Sequence, residues 1–385
     1  MKFNFINVIS AIMIFTDPFV FFRFFFNNDI IASIAMIVSV IFLILKFLSF
    51  PNDTNNKNKY RKSLFLIVFF CFYSFLIYLN SSISYSNLFL HSIKLLTFIA
   101  VGISFKSYKG RDILFQSMFI ALIFHTIAIL PFDFISDRID LYTNYSSEEN
   151  IIFGFLKRAT GFFTAPGYLI LFCSLIIFVS YFRYLKDFQI KYLVIAFILG
   201  ISTFNRSFLI ILVIFLIFNL KNLKFNFRPL AFAFLILIIY QFNKESFQLY
   251  ADYITLRFQD DSFEDSTRLY GASGLFDSLE SIKLNFFGSA ISNNGGSLQL
   301  VSDKGFFLDP HVGIIYLFGI YGIPMGILIS IIITKLSFLL KYINVKKSFF
   351  GVSFIAVNAI CLVEPLMENT IYLFTILGVY YEKPK

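Results

Sequence analysis

The sequence has no tryptophan, only three cysteines, three histidines and nine prolines, and only 14% of its 385 residues are charged. Soluble domains carry about a quarter of their residues as charges. So little charge beside 58% hydrophobic residues excludes a water-soluble enzyme and a nucleic-acid binder. Cys71, Cys173 and Cys361 lie far apart inside apolar runs, a spacing that indicates neither a disulfide framework nor a zinc site and leaves small core residues. Without tryptophan the interfacial aromatic belt falls to the 21 tyrosines. The 57 phenylalanines are lipid-facing or packing bulk and mark no cofactor box.

What is present is hydrophobic length. Mean hydropathy is +0.78, and apolar runs recur over 5–26, 30–48, 64–80, 86–105, 112–131, 164–182, 190–204, 207–220, 229–242, 311–334, 349–363 and 366–381. Runs of this length read as membrane-spanning helices and not as barrel strands. The chain is therefore expected to be an all-α, polytopic membrane bundle of about 12 transmembrane helices, one integral membrane domain over 1–385. The first run has no small-residue cleavage site and a second follows at once, so it reads as an anchor.

The net charge of +9 serves first to orient the bundle. With the N-terminus inside, 21 of the 32 basic residues fall in cytoplasmic segments, nine fall outside, and two, Arg23 and Lys94, lie within spans. Of the 23 acids, 16 fall outside. Both termini are expected in the cytoplasm. The cytoplasmic side offers only short basic connections and the polar linker 52–62, with no nucleotide-binding motif, so any chemistry belongs to the outer face.

Two outer loops stand apart, 132–163 and the large loop 243–310. Long loops tend to be functional. In the second, Phe247, Tyr250 and Ile254, then Leu275, Leu279 and Ile282, recur at helical spacing and predict two amphipathic helices on the outer surface. An acidic stretch over 260–265 separates them, and a flexible glycine-bearing region over 288–296 follows. No internal repeat of the transporter kind is evident.

The residues suited to chemistry gather at this face. Arg158 precedes Gly161 and Pro166 at the mouth of the sixth span, where a guanidinium beside loosened backbone N–H groups suits phosphate oxygens; an interfacial Arg that snorkels is the alternative. Arg206 interrupts an apolar stretch from Tyr192 to Leu220, so the chain either breaks there into two helices or carries a buried cation that needs a partner. Arg268 heads the second amphipathic segment, with Arg257 a weaker candidate; each could instead pair with the nearby acids. His311 follows Asp309 and Pro310 at the start of the tenth span, where an imidazole can accept a proton near neutral pH or serve a purely structural role. Glu364 and Glu368 share a helix face around Pro365, as counter-ions, a gate or a base. His91 and His125 read as packed polar residues within spans. No cluster has metal-ligand spacing.

In order, Arg158–Gly161–Pro166, the helix break at 202–207 with Asn205 and Arg206, Arg268 followed by Phe287–Gly288, and Pro310–His311 followed by Gly322 resemble the O-antigen polymerase and O-antigen ligase family of bacterial envelope glycosyltransferases. Val312, Gly167 and the absence of an acid over 318–321 depart from that pattern. The resemblance implies a GT-C-like bundle in the bacterial inner membrane with its active site toward the periplasm. The expected activity is that of a lipopolysaccharide-biosynthesis polymerase, joining undecaprenyl-pyrophosphate-linked oligosaccharides as donor and acceptor, without cofactor or metal and with inversion. On it, Arg158, Arg206 and Arg268 hold the pyrophosphate, His311 deprotonates or orients the acceptor, and Arg257, Asp309, Glu364 and Glu368 support them. A chain-length regulator and membrane lipid are the implied partners, and no nucleic acid is. Transfer to lipid A-core by a ligase, a lipid-linked oligosaccharide flippase and a noncatalytic scaffold are the alternatives.

Overall fold

A computed structural model describes residues 4–52, 57–80, 85–129, 151–152, 156–157, 159–164, 166–182, 190–203, 208, 286–287, 291–292, 298–301, 307–308, 318, 321–328 and 370–381. The fold is helical: α1 (Phe5–Phe15), α2 (Pro18–Phe26), α3 (Asp29–Ser49), α4 (Lys57–Asn80), α5 (Tyr85–Ser104), α6 (Tyr108–Ile129), α7 (Pro166–Phe182), α8 (Ile190–Ser202) and α9 (Thr370–Tyr381), with a further helical stretch over 321–328. Among the described residues three helices are long and apolar enough to cross a membrane, within α3, α4 and α6, and four if α1 and α2 are taken together. The expected runs at 207–220, 229–242 and 349–363 lie outside the described residues, apart from Phe208.

The outside of α3 is as apolar as its inside. Ile30, Ile34, Val38, Ile41, Leu45 and Leu48 are exposed on one face, while Ala32, Met36, Val40, Leu43 and Phe47 are buried on the other. Water would oppose such an outer row, and lipid tails solvate it, so the surface fits a membrane surround. α4 repeats the pattern with Phe65, Phe69, Phe72 and Leu76 outward.

The first expected span is two helices. α1 and α2 meet at 117°. The cause is local: Pro18 has no N–H to continue the ladder and disfavours helical geometry in the residue before it. Thr16 is extended, and Asp17 accepts from the N–H groups of Phe19 (2.9 Å) and Val20 (3.4 Å), capping α2 with Pro18 in its first turn. At 1.5 Å per residue α1 is about 16 Å long, roughly half the hydrocarbon thickness. α1 cannot cross alone, and it is buried instead: Ala11, Met13, Ile14 and Phe15 are at most 1% exposed. Phe374 of α9 meets Phe15 edge-on at 5.4 Å and touches Phe105 and Phe115, which knits α1 to α9, α6 and the end of α5.

α2 ends at Asn27 in left-handed geometry, its N–H on the Arg23 carbonyl, and the Asn28 side chain caps α3 through Ile30 and Ile31. Arg23, expected within a span, lies over Phe19 and pairs with Asp29.

Short strands occupy the two long loops. β1 (Ile151–Ile152) and β2 (Leu156–Lys157) form an antiparallel hairpin that ends one residue before Arg158. β3 (Ile291–Ser292), β4 (Leu298–Val301) and β5 (Phe307–Leu308) form an antiparallel meander. The glycine-bearing region 288–296, expected to be flexible, thus contains β3, which is held in register by β4 through the Ile291–Gln299 and Ser292–Leu298 pairs. The two amphipathic segments expected earlier in this loop lie outside the described residues.

Candidate functional site: a polar hub at the α1–α2 elbow

The α1–α2 elbow leaves the last carbonyls of α1 without helical partners inside an apolar bundle. Side chains from three directions meet them. Thr16 Oγ1 donates to the Ile12 carbonyl at 2.6 Å, Thr370 Oγ1 at the start of α9 donates to Ile14, and His125 Nε2–H donates to Phe15 at 2.8 Å. A buried unpaired carbonyl costs about 1–3 kcal/mol, which is why a half-helix here requires such donors.

His125 does a second task. Its Nδ1 accepts the backbone N–H of Phe162 at 3.1 Å, and the Phe162 carbonyl accepts from the N–H of Asp17 at 2.8 Å. A carbonyl can only accept and an amide N–H can only donate, so the ring is the neutral Nε2–H tautomer with both nitrogens engaged. It is fully buried, stacked on Phe163 at 4.5 Å and tilted against Phe172 at 4.9 Å. The ring is a structural tie with no nitrogen left for catalysis, as expected for a packed polar residue. His91, stacked flat on Tyr78 at 4.0 Å and 3.1 Å from Ser74 Oγ, is likewise packed.

The turn that His125 holds belongs to the Arg158–Pro166 segment. Phe163 N–H bonds back to Thr160 at 3.2 Å, and Gly161 adopts φ +60°. A Cβ at Gly161 would lie 2.4 Å from His125 Nδ1. Glycine is needed twice over, for the left-handed backbone and for the contact. Two residues before Gly161, the N–H of Ala159 donates to the carbonyl of Ser202, the last residue of α8, at 3.0 Å.

The described part of this apolar run ends as a helix before Arg206. α8 stops at Ser202, Thr203 folds back on the Gly200 carbonyl through both its N–H and its hydroxyl, and the ring of Phe208 packs directly on Gly200 and against Phe197. Arg206 itself, and with it the choice between a helix break and a buried cation, lies outside the described residues.

A second junction forms around Tyr73 of α4. Its hydroxyl lies 3.1 Å from the Phe287 carbonyl and 2.9 Å from that of Tyr321, and the N–H of Ile323 donates to Phe286 at 3.2 Å. Phe287 and the start of the Gly322 helix, separate pieces of the sequence pattern, are therefore neighbours.

Arg158, Arg206, Arg257, Arg268, Asp309, His311, Glu364 and Glu368 lie outside the described residues. Several of their flanks lie within them. Ala159 follows Arg158, Ser202 precedes Arg206 by four residues, and Thr370 follows Glu368 by two; the first two are bonded to each other, and the third is pinned to α1. Leu308, the end of β5, comes just before Asp309 and is paired with Leu300 of β4. Sequence reasoning misses His125, Asp17 and Thr370 as the hub, although Asp17–Pro18 inside an apolar run is a legible helix stop and start. Cys71 and Cys173 are buried and free, as expected for core residues. No family model, curated protein or solved structure matches this chain.

Proposed function

We propose that this chain is a membrane glycosyltransferase of the O-antigen polymerase kind, a GT-C-like bundle of about twelve spans in the bacterial inner membrane. It joins undecaprenyl-pyrophosphate-linked oligosaccharide units at the periplasmic face. The observation that carries this reading is the hydrogen bond from Ala159 N–H to Ser202 carbonyl, which draws together the flanks of Arg158 and Arg206, 48 residues apart in sequence. Two segments that each bear a guanidinium suited to anions share one anchor point. The adjacency of Phe287 and Tyr321 through Tyr73 supports the same reading, since it gathers the flanks of the stretch that carries His311.

The chemistry follows from the substrate. A lipid pyrophosphate is already an activated leaving group, so the enzyme's task is to hold the charge that develops on it as the glycosidic bond breaks. Arg206 and Arg268, with Arg158 at the mouth, supply fixed donors for that charge. His311 takes the proton of the acceptor hydroxyl as it attacks the anomeric carbon from the opposite face, which inverts configuration.

The test is reconstitution of the purified protein in lipid vesicles with only its undecaprenyl-pyrophosphate repeat unit, the products being resolved by size. A ladder that is lost with Arg206→Ala and with His311→Ala supports the reading. A folded protein that makes no ladder, yet moves glycan to a lipid A-core acceptor or moves the intact lipid across the bilayer, refutes polymerisation in favour of ligation or transport.

A further inference from the structure

The end of α3 remote from α2 carries a concentration of positive charge that the proposed reaction does not use. There the chain places Lys46 and the exposed Leu48 on the last turns of α3, while the α5–α6 connection brings Lys106 to Leu48 and the first turn of α6 brings Lys109 to Phe50 just beyond. The Lys106 ammonium donates to the Leu48 carbonyl, at the negative end of the α3 dipole, and the Lys109 ammonium lies 4.9 Å from the centre of the Phe50 ring. α4 closes the group. Gly102, one turn before Lys106, packs against Leu64 and Ile67, which brings the first turns of α4 with Arg61 and Lys62 to this end. Among the described residues no carboxylate forms an ion pair with Lys46, Arg61, Lys62, Lys106 or Lys109. The acid on the adjoining turn of α6, Asp112, accepts instead from Gln116 at 2.8 Å.

Directly from this cluster the exposed row of α3 runs away through Leu45, Ile41, Val38 and Ile34, each at least 48% exposed and apolar. α3 is 21 residues and so about 30 Å long, near the full hydrocarbon thickness, and the row from Leu45 to Ile34 covers about 16 Å of it, the depth of one leaflet and of one acyl chain. A row of apolar side chains that ends in ammonium groups, none of them ion-paired among the described residues, has the polarity of one molecule, a phospholipid with an anionic head. We propose that the α3 face and the α5–α6 connection form a binding site for an anionic phospholipid, with its phosphate held by Lys46 and Lys109 and its tails along Ile34 to Leu45. Lys106, its ammonium directed at α3, anchors the connection and positions Lys109. Arg61 and Lys62 widen the positive field, each basic group near a charged membrane surface strengthening attraction to anionic lipid. The site does not depend on any glycan chemistry.

The test uses the full-length protein in detergent with phosphatidylglycerol or phosphatidylcholine added at matched concentration. Bound lipid is counted by intact mass and affinity by titration. The expected result is retention of phosphatidylglycerol but not phosphatidylcholine, weakened about tenfold or more by Lys46→Gln with Lys109→Gln. Removing charge at the opposite end of α3, by Arg23→Gln beside Asp29, should leave binding unchanged. The substituted side chains at 46 and 109 are exposed, so the fold is retained, and an unchanged thermal midpoint checks this. Equal retention of both lipids, undiminished binding in the double variant, equal loss in Arg23→Gln, or full competition by soluble inorganic phosphate would each overturn the proposal.

Discussion

Gly161 sits at φ +60° against the His125 imidazole, so near that a Cβ there would come within 2.4 Å of Nδ1. One residue's lack of a side chain lets a buried histidine reach the amide of the next residue, Phe162. The contact joins α6 to the turn that follows Arg158, and through Asp17 and Phe15 to the α1–α2 elbow.

Replacing Gly161 by Ala should therefore destabilise the protein by about 2–3 kcal/mol, of which roughly 1 kcal/mol is the left-handed backbone and the rest displacement of His125. On a His125→Ala background the same change should cost only the backbone part. Denaturant unfolding of the two single variants and the double variant in one detergent measures this coupling; strictly additive effects would show that the two residues do not press on each other.

His125→Phe keeps most of the ring volume but strands the Phe15 carbonyl and the Phe162 N–H. The expected loss is on the order of 3 kcal/mol, similar to His125→Ala, because two buried polar groups lose their partner in both. A His125→Phe protein that melts with the wild type would mean that packing and not the two hydrogen bonds holds the hub.

Asp17→Ala removes the cap of α2 and should cost about 1 kcal/mol, whereas Asp17→Asn should stay within a few tenths because the amide oxygen can still accept from Phe19 and Val20. Thermal midpoints of the two variants, compared under one condition, separate capping from charge.

Tyr73→Phe deletes the hydroxyl shared by Phe287 and Tyr321 and nothing else. At about 1 kcal/mol for a lost hydrogen bond, amide exchange at Ile323 should quicken roughly fivefold, with exchange at Phe162 unaltered. Equal acceleration at both sites would point to general loosening in place of a local latch.

Helix existence is legible in the chain. The run at 30–48 forms α3 at Asp29–Ser49, and that at 86–105 forms α5 at Tyr85–Ser104, because uninterrupted apolar residues have no competing local structure. The run 5–26 reads as one span on hydropathy, yet it is two helices. Hydropathy summed over the window hides Asp17–Pro18, a cap and a ladder break that act on geometry without lowering apolarity much. Linker 52–62 is likewise shorter than expected, since α4 already begins at Lys57 and its polar first turns extend an apolar helix beyond the hydrophobic window. In the large loop, hydrophobic spacing carries no signal for β3 to β5, whose two- to four-residue strands are too short to establish an alternation. Of the candidate site, the end of α8 before Arg206 is legible because polar residues interrupt an apolar run, whereas the bond from Ala159 to Ser202 joins backbone groups that leave no mark on side-chain pattern.

The sequence by itself determined that the described long elements are helices and that α3 and α4 carry apolar outer rows, because hydrophobic length and side-chain period are local properties of successive residues. Only the tertiary structure decided that His125 would face Phe15 and Phe162, 110 and 37 residues away, and that Ala159 would close on Ser202. A polar group inside an apolar bundle must find a partner, but which partner depends on where the chain leaves a carbonyl or an amide unpaired, and that is fixed by how the helices pack.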